Sequence, residues 1–307
     1  MSGSSMRTLA LFAAVLAVFV AIGGLVGELV FGSWLAGLVV ALGLSLVLNV
    51  VAYAASDRIV LWSTHAKIVT AAEAPRLAAA VADLAPRFGL VAPRLAIVPT
   101  ATPNAFATGR NERHAVVAAT EGLLRTVNDR ELRGVLAHEL AHVRDRDVLV
   151  MTIAATLAGA IPFAAQTLIF SSLFGGGRGR GVNPLVLIVA AVTAPIAAML
   201  LRLAISRSRE YRADEVGART IGDPEALASA LGKLETANSR QPMTVGSPSQ
   251  ASLYIVNPLR GGGLAGLFST HPPIQDRIRR LRAMRTDPTY RPTIRAPSVG
   301  STRLSRS

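Results

Sequence analysis

Four long apolar runs dominate the pattern of hydrophobic and polar positions along this chain of 307 residues. The runs, none of which contains Asp, Glu, Lys or Arg, cover residues 9–26, 29–55, 148–174 and 182–201. Because a helix needs about 20 apolar residues to cross a bilayer, they predict four transmembrane helices, as hairpins within residues 1–56 and 148–203. The alternative, four buried core helices, would leave too little polar surface for a soluble fold, since 51% of the residues are apolar and only 17% charged.

The two polar segments that follow the hairpins, residues 57–147 and 204–285, have the periodicity of helices and short strands. In the first we expect a helix over 74–88 ended by Gly89, strands over 94–98 and 115–119, and a turn or edge strand over 103–109. In the second we expect helices over 206–220, from 223 to about 237, and over 273–284. Residues 238–263 are predicted to form a long surface loop, a candidate lid, and the basic tail 286–307 to be disordered.

The sequence His-Glu-Leu-Ala-His at residues 138–142 is the strongest chemical signal in the chain. On a helix, residues four apart lie on one face, so His138 and His142 can bind one Zn²⁺ while Glu139 reaches a water on the same metal. Asn128 and Glu131 form a capping-box pattern that predicts the start of this helix at about residue 129. No breaker follows before the third apolar run, so the helix is expected to continue into it. The alternative is a solvated helix with two surface histidines.

A third zinc ligand has to be His, Asp or Glu, because the chain has no cysteine. Glu210 is the best candidate, since it lies beyond the fourth apolar run as His142 lies before the third. If these two runs form a hairpin, both groups emerge on one side of the membrane. Asp214, one helical turn after Glu210, can accept the free ring N–H of a zinc-bound histidine. An ordinary charged surface helix is the alternative.

The net charge of +13 comes largely from arginines, many of which lie beside the apolar runs. These flanking cations are Arg58, Lys67, Arg144, Arg146, Arg202, Arg207, Arg209 and Arg212. Such residues favour the cytoplasmic side of a membrane, which predicts an inner-membrane protein with its catalytic face and both termini in the cytoplasm. Nucleic-acid binding is disfavoured, because there is no basic stripe with interleaved aromatic residues.

Taken together, these residues resemble the HtpX-like membrane zinc metalloproteases, which are relatives of the CAAX prenyl proteases. The matching pieces are residues 103–109, 138–142, 206–214, and 268–273 with Arg277. The resemblance implies a mainly α membrane protein, with a gluzincin-type domain of helices and a small β-sheet joined to four transmembrane helices. It also implies one Zn²⁺ per chain, bound by His138, His142 and Glu210, with Glu139 as general base and Asp214 supporting a ligand.

Further site residues are implied by the resemblance alone. Asn104, Ala105 and Phe106 would lie on an edge strand of the cleft, where an extended substrate adds as a β-strand. His271 and Arg277 would be late active-site elements that stabilise the oxyanion. For His271, a loop histidine before a helix is the alternative.

The function that this resemblance implies is quality control: an endopeptidase that cleaves misfolded or damaged membrane proteins, or unfolded polypeptides, at the cytoplasmic face of the lipid bilayer. The rival enzymes are an intramembrane site-two-type protease, disfavoured by Arg133, Arg144 and Asp145 flanking the motif, and a CAAX-processing protease, disfavoured by only four apolar runs. A non-catalytic membrane scaffold is the rival of a different class. The sequence does not indicate an oligomeric state.

Overall fold

The computed structural model describes residues 32–151, 207–240, 253–256, 272–287 and 289–292, and also residues 13, 17 and 28. Its helices in these ranges are α1 (Trp34–Ser63), α2 (Pro75–Arg87), α3 (Glu121–Thr126), α4 (Asp129–Arg144), α5 (Arg207–Ile221), α6 (Pro224–Arg240) and α7 (Ile274–Thr286). The strands are β1 (Lys67–Val69), β2 (Arg94–Val98), β3 (Ala105–Thr108) and β4 (Val116–Thr120). The chain is therefore mainly helical with one small sheet.

The four strands form a mixed sheet in the order β1-β2-β4-β3. The central strands β2 and β4 are parallel, and each pairs with its outer neighbour in antiparallel fashion. The bounds predicted for β2 are confirmed, β4 is displaced by one residue, and β3 lies within the predicted segment 103–109, at an edge of the sheet. The three-residue strand β1 was not predicted, since so short a run has no readable alternation.

Helix α4, which carries the His-Glu-Leu-Ala-His motif, begins where the capping box predicts. The Asn128 side chain accepts a hydrogen bond from the Glu131 backbone N–H at 2.9 Å, and the Glu131 carboxylate accepts one from the Asn128 N–H at 2.9 Å. The Glu131 carboxylate also accepts from Lys233 Nζ at 2.8 Å, which ties the start of α4 to α6. Reciprocal capping of this kind satisfies backbone donors that have no partner inside the helix.

The expectation that this helix continues into the third apolar run was wrong. Helix α4 ends at Arg144, Arg146 has a left-handed backbone with φ of 60°, and helix resumes at Asp147. The Asp145 carboxylate accepts from Arg144 at 2.9 Å and from Arg212 on α5 at 2.8 Å, which stabilises the turn through contacts that a sequence pattern does not contain. The turn redirects the chain so that Asp147 faces back toward α4.

The four predicted membrane spans stay predictions. The runs 9–26 and 182–201 fall almost wholly outside the described residues, and only 148–151 of the third run are described. The second run overlaps α1, which extends beyond the boundary predicted at residue 56 and ends at Ser63. No helix in the described ranges meets the length and hydropathy expected of a membrane crossing.

The first residues of the tail are ordered against α5, so the prediction of disorder from residue 286 was wrong for this part. Helix α7 itself ends at Thr286. The Tyr290 hydroxyl donates to the Ala218 carbonyl at 3.1 Å, and the Arg219 guanidinium lies 5.3 Å from the Tyr290 ring centroid. Residues 293–307 lie outside the described residues.

Helix α4 lies at the centre of the domain and packs against α2, α5, α6 and β3. Two glycines allow this close packing. A Cβ on Gly134 of α4 would lie 2.6 Å from the Leu227 backbone nitrogen of α6, and a Cβ on Gly217 of α5 would lie 3.0 Å from the His138 backbone nitrogen. The backbone of α4 therefore approaches both α5 and α6 more closely than side chains normally permit.

We expect Gly134→Ala to lower the free energy of unfolding by about 1–3 kcal/mol, because the added methyl group meets backbone that cannot rotate away. Gly232→Ala on α6 is the matched control. Its Cβ would meet only Ile278 Cδ1 at 3.9 Å, so helix propensity should leave it unchanged or stabilise it by about 1 kcal/mol. Thermal unfolding of both variants measures the difference, and equal melting temperatures would contradict the close approach of α4 and α6.

Candidate active site

Three buried side chains bring potential metal ligands to one point. His138 and His142 lie one turn apart on α4, and Glu210 lies in the first turn of α5. The Nε2 atoms of the two imidazoles are 3.2 Å apart, and the Glu210 carboxylate oxygens lie 3.7 Å from His138 Nε2 and 3.4 Å from His142 Nε2. Ligands at about 2.0–2.1 Å from a tetrahedral ion lie roughly 3.3 Å from one another, so these residues can hold a metal.

The charges buried around these ligands also favour a divalent cation. Four carboxylates and two guanidinium groups, each no more than 5% exposed, give a formal charge of −2 when the imidazoles are neutral. They belong to Glu139, Asp147, Arg209, Glu210, Asp214 and Arg277. An unbalanced buried charge costs several kcal/mol, and a divalent cation between the ligands would balance this one.

The Asp214 carboxylate lies beside the imidazole of His138. Its Oδ1 lies 2.9 Å from His138 Nδ1, which leaves Nε2 facing the other ligands. Arg277 from α7 donates to both oxygens of Asp214, through Nε at 2.8 Å and Nη2 at 2.7 Å. Although burial favours the neutral acid, Arg277 holds the pKa of the Asp214 carboxyl at about 2, so it stays charged beside His138.

Asp147 lies beside Nδ1 of His142, as Asp214 lies beside Nδ1 of His138. The sequence analysis did not predict this contact. Asp147 Oδ2 lies 3.5 Å from His142 Nδ1, and Asp147 Oδ1 lies 3.3 Å from Nη1 of Arg209. Arg209, one of the cations that flank the apolar runs, is buried and paired with Asp147. Only the turn at Arg146 brings Asp147 toward His142, so the five-residue spacing in the sequence gave no sign of the contact.

These surroundings act differently on the two imidazoles. Burial and the charge of Arg277 lower the pKa of His138 to about 4, so this ring is neutral and ready to bind a cation. Burial also opposes a charge on His142, but the nearby carboxylates of Asp147 and Glu210 outweigh it and raise the pKa to about 10. A cation that binds at His142 therefore displaces a proton.

The three candidate ligands line one small cavity together with Glu139. The cavity also touches Ala107 of β3, Leu253 and Ile255. Its free volume is about 10 Å³, the space of a single water-sized sphere. Glu139 is thus placed beside the ligands, where a water and a base would meet.

The residues predicted to bind substrate lie on or beside the edge strand β3. Asn104, Ala105 and Phe106 are all buried, because residues 253–256 cover the open edge of β3. The Ile255 N–H donates to the Ala105 carbonyl at 3.1 Å. Of the loop predicted over 238–263, the first three residues belong to α6, and 253–256 form this cover.

The two late elements have different outcomes. His271 lies outside the described residues. Arg277 is fully buried, and its donors go to Asp214 and to the Ile255 carbonyl at 2.9 Å. Its guanidinium also lies 3.3 Å from His138 Nδ1 and 3.8 Å from Glu210 Oε2, so it borders the candidate ligands directly, and its oxyanion role stays a prediction.

Comparisons with known proteins place this geometry in a family context. A family model described as peptidase family M48 matches residues 71–285. A protease HtpX homolog of Syntrophobacter fumaroxidans is 52% identical over 287 residues, which cover 92% of this chain and 100% of the relative. One of Thermococcus kodakarensis is 54% identical over 241 residues, covering 78% of this chain and 83% of the relative. The crystal structure of S. mikatae Ste24p aligns with a TM-score of 0.47 and 19% identity, over 90% of this chain and 65% of that one.

The family match runs from before α2 almost to the end of α7, so it includes all three candidate ligands, Glu139 and both aspartates beside the imidazoles. The relative from S. fumaroxidans extends the similarity over nearly the whole chain at more than half of the aligned positions. This chain therefore belongs to peptidase family M48 and is a metalloprotease that hydrolyses peptide bonds.

Proposed function

We propose that this metalloprotease is a zinc-dependent endopeptidase with one Zn²⁺ per chain, bound by His138, His142 and Glu210. The convergence of the three buried donors carries the proposal. Two imidazoles and one carboxylate, with a fourth position left for water, are a donor set typical of catalytic zinc. The net charge of the buried groups around them supports the same ion.

Glu139 is the proposed general base. Bound at these ligands, zinc would supply Lewis acidity that polarises the scissile carbonyl and acidifies a water. Glu139 lines the same cavity, so its carboxylate can take the proton of the attacking water and deliver it to the leaving amine nitrogen. Glu139 can act as the base without being a metal ligand.

The two buried aspartates are proposed to fix the orientation of the two imidazole rings. Asp214 and Asp147 each face an Nδ1 atom, which fixes the tautomer that presents Nε2 to the metal. Arg277 is then a positioning residue, since it holds Asp214 at both carboxylate oxygens. His271 remains the candidate for stabilising the oxyanion.

The substrate is proposed to bind as an extended strand along β3. Asn104, Ala105 and Phe106 present this edge beside the metal cavity, to which β3 also contributes Ala107. Strand addition uses main-chain hydrogen bonds and is tolerant of sequence, which suits unfolded or damaged polypeptides. The activity would accordingly serve protein quality control.

The enzyme is further proposed to be embedded in the inner membrane through four spans, with its active site and both termini in the cytoplasm. The four uncharged apolar runs and the flanking cations support this. Helix α1 also exposes large apolar side chains, such as Leu35, Leu46 and Val50, each more than half exposed. Contiguous exposed apolar surface is typical of a membrane or partner contact.

Glu139→Gln should retain zinc and lose peptidase activity by at least about a hundredfold, because the amide cannot accept the proton of the water. The measurement is zinc content and cleavage of unfolded casein, for wild type and variant in detergent. Zinc in both proteins with cleavage by neither would favour a metal-binding scaffold. Zinc in neither would remove the proposed site.

Asp147→Asn should weaken zinc binding about tenfold, because His142 loses the charged partner of its Nδ1 atom. Asp83→Asn is the matched control, since that carboxylate pairs with Arg87 and Arg133 and faces no imidazole. Competition with a chromophoric chelator measures both affinities. Equal affinity in the two variants would show that Asp147 does not support the site.

A reporter peptide attached next to a transmembrane segment should be cleaved at least about tenfold faster than the same peptide in solution, because the shared membrane raises its effective concentration. Cleavage rates of both substrates in the same detergent-free vesicles test this. Equal rates would argue against a membrane-level site while leaving the peptidase activity intact.

A further inference from the structure

The chain itself occupies the edge of β3 where a substrate is proposed to bind. Residues 253–256 are each no more than 5% exposed. Ile255 donates its N–H to the Ala105 carbonyl at 3.1 Å. The Asn104 side chain binds both main-chain groups of Val256, donating through Nδ2 to its carbonyl at 2.6 Å and accepting at Oδ1 from its N–H at 3.2 Å.

The side chains of this segment point alternately to two sides, although its backbone forms a turn and bends and not a regular β-strand. Leu253 and Ile255 line the metal cavity, whereas the Tyr254 ring packs edge-on against Phe106 with 5.2 Å between ring centroids. An extended chain that adds to a sheet edge would offer the same two features, alternating side chains and main-chain hydrogen bonds to β3. The segment thus holds Asn104, Ala105 and Phe106, the three residues predicted for substrate.

The segment also leaves no room at the metal ligands. With Leu253 and Ile255 in place, the cavity beside His138 and Glu139 has a volume of about 10 Å³, enough for one water and too small for a peptide. Arg277 fixes this arrangement, because its Nη1 donates to the Ile255 carbonyl at 2.9 Å. A scissile peptide cannot reach the ligands from this edge while the segment stays there.

We propose that residues 253–256 are an autoinhibitory segment that occupies the substrate groove and must leave before an extended polypeptide can pair with β3. The proposal rests on the proposed peptidase function and adds its regulation. Because the contacts are largely main-chain hydrogen bonds and apolar burial, an unfolded chain with apolar residues at alternate positions can replace each of them. That pattern defines the substrate class.

The test uses the full-length protein in detergent and removes one contact without touching a ligand. Ile255→Pro deletes the N–H that pairs with Ala105, and Ile255→Val, which keeps that N–H and a branched apolar side chain, is the matched variant. One assay measures cleavage of unfolded casein together with zinc content. The other uses the Glu139→Gln background and measures binding of a fluorescein-labelled peptide of residues 249–260, with a scrambled peptide as control.

We expect Ile255→Pro to keep its zinc, to cleave casein at least about fivefold faster, and to bind the 249–260 peptide at least about fivefold more tightly than the parent does. Ile255→Val should shift neither by more than about twofold. Loss of zinc in Ile255→Pro, or zinc retained with unchanged or slower cleavage and unchanged peptide affinity, would overturn the proposal and make the segment a permanent part of the site. Tighter peptide binding with no cleavage by any variant would support displacement of the segment and count against the peptidase function instead.

Discussion

The balance of buried charge around His138 and His142 is the constraint on which the rest of the structure depends. Each imidazole faces a buried aspartate, and each aspartate is paired with a buried arginine, Arg277 for Asp214 and Arg209 for Asp147. Breaking such a pair on one side costs about 3–5 kcal/mol, because a charge is left without a partner in a medium of low polarity. Three further parts of the chain, α5, α7 and the turn that leads to Asp147, therefore have to meet at α4.

Close packing of backbone follows from that requirement. The side chains of Asp214 and Glu210 are short, so α5 reaches the imidazoles only if it lies against α4, and Gly217 permits this where a Cβ would crowd the His138 backbone. The turn at Arg146 likewise brings a carboxylate to an imidazole. A continuous helix would carry Asp147 away from His142. Asp147, the last residue of a charged run beside an apolar segment, thus becomes part of the interior.

The sequence predicts best those structural features that depend on residues close together in the chain. The capping box fixes the start of α4, Gly89 ends α2 with a φ of 70°, and β2 has its predicted bounds, because each depends on residues a few positions apart. Asp147, Arg209 and the break in α4 could not be predicted, since they depend on partners more than 60 residues away. The motif and the resemblance gave the ligand set, but the real contacts of Arg277 appear only when α7 is packed against α5.

Arg277 connects the candidate metal ligands to the edge of the sheet. This connection explains why residues 253–256 close the groove beside β3. The Arg277 guanidinium holds Asp214 and also donates to the Ile255 carbonyl in a fully buried setting. If residues 253–256 left without replacement, that donor and the uncovered main chain of β3 would lose their partners, at about 1–3 kcal/mol for each group that stays buried. An arriving peptide restores them with its own carbonyl and N–H groups. Exchange is therefore favourable for an extended chain and unfavourable for a folded surface, which has no free main chain to offer.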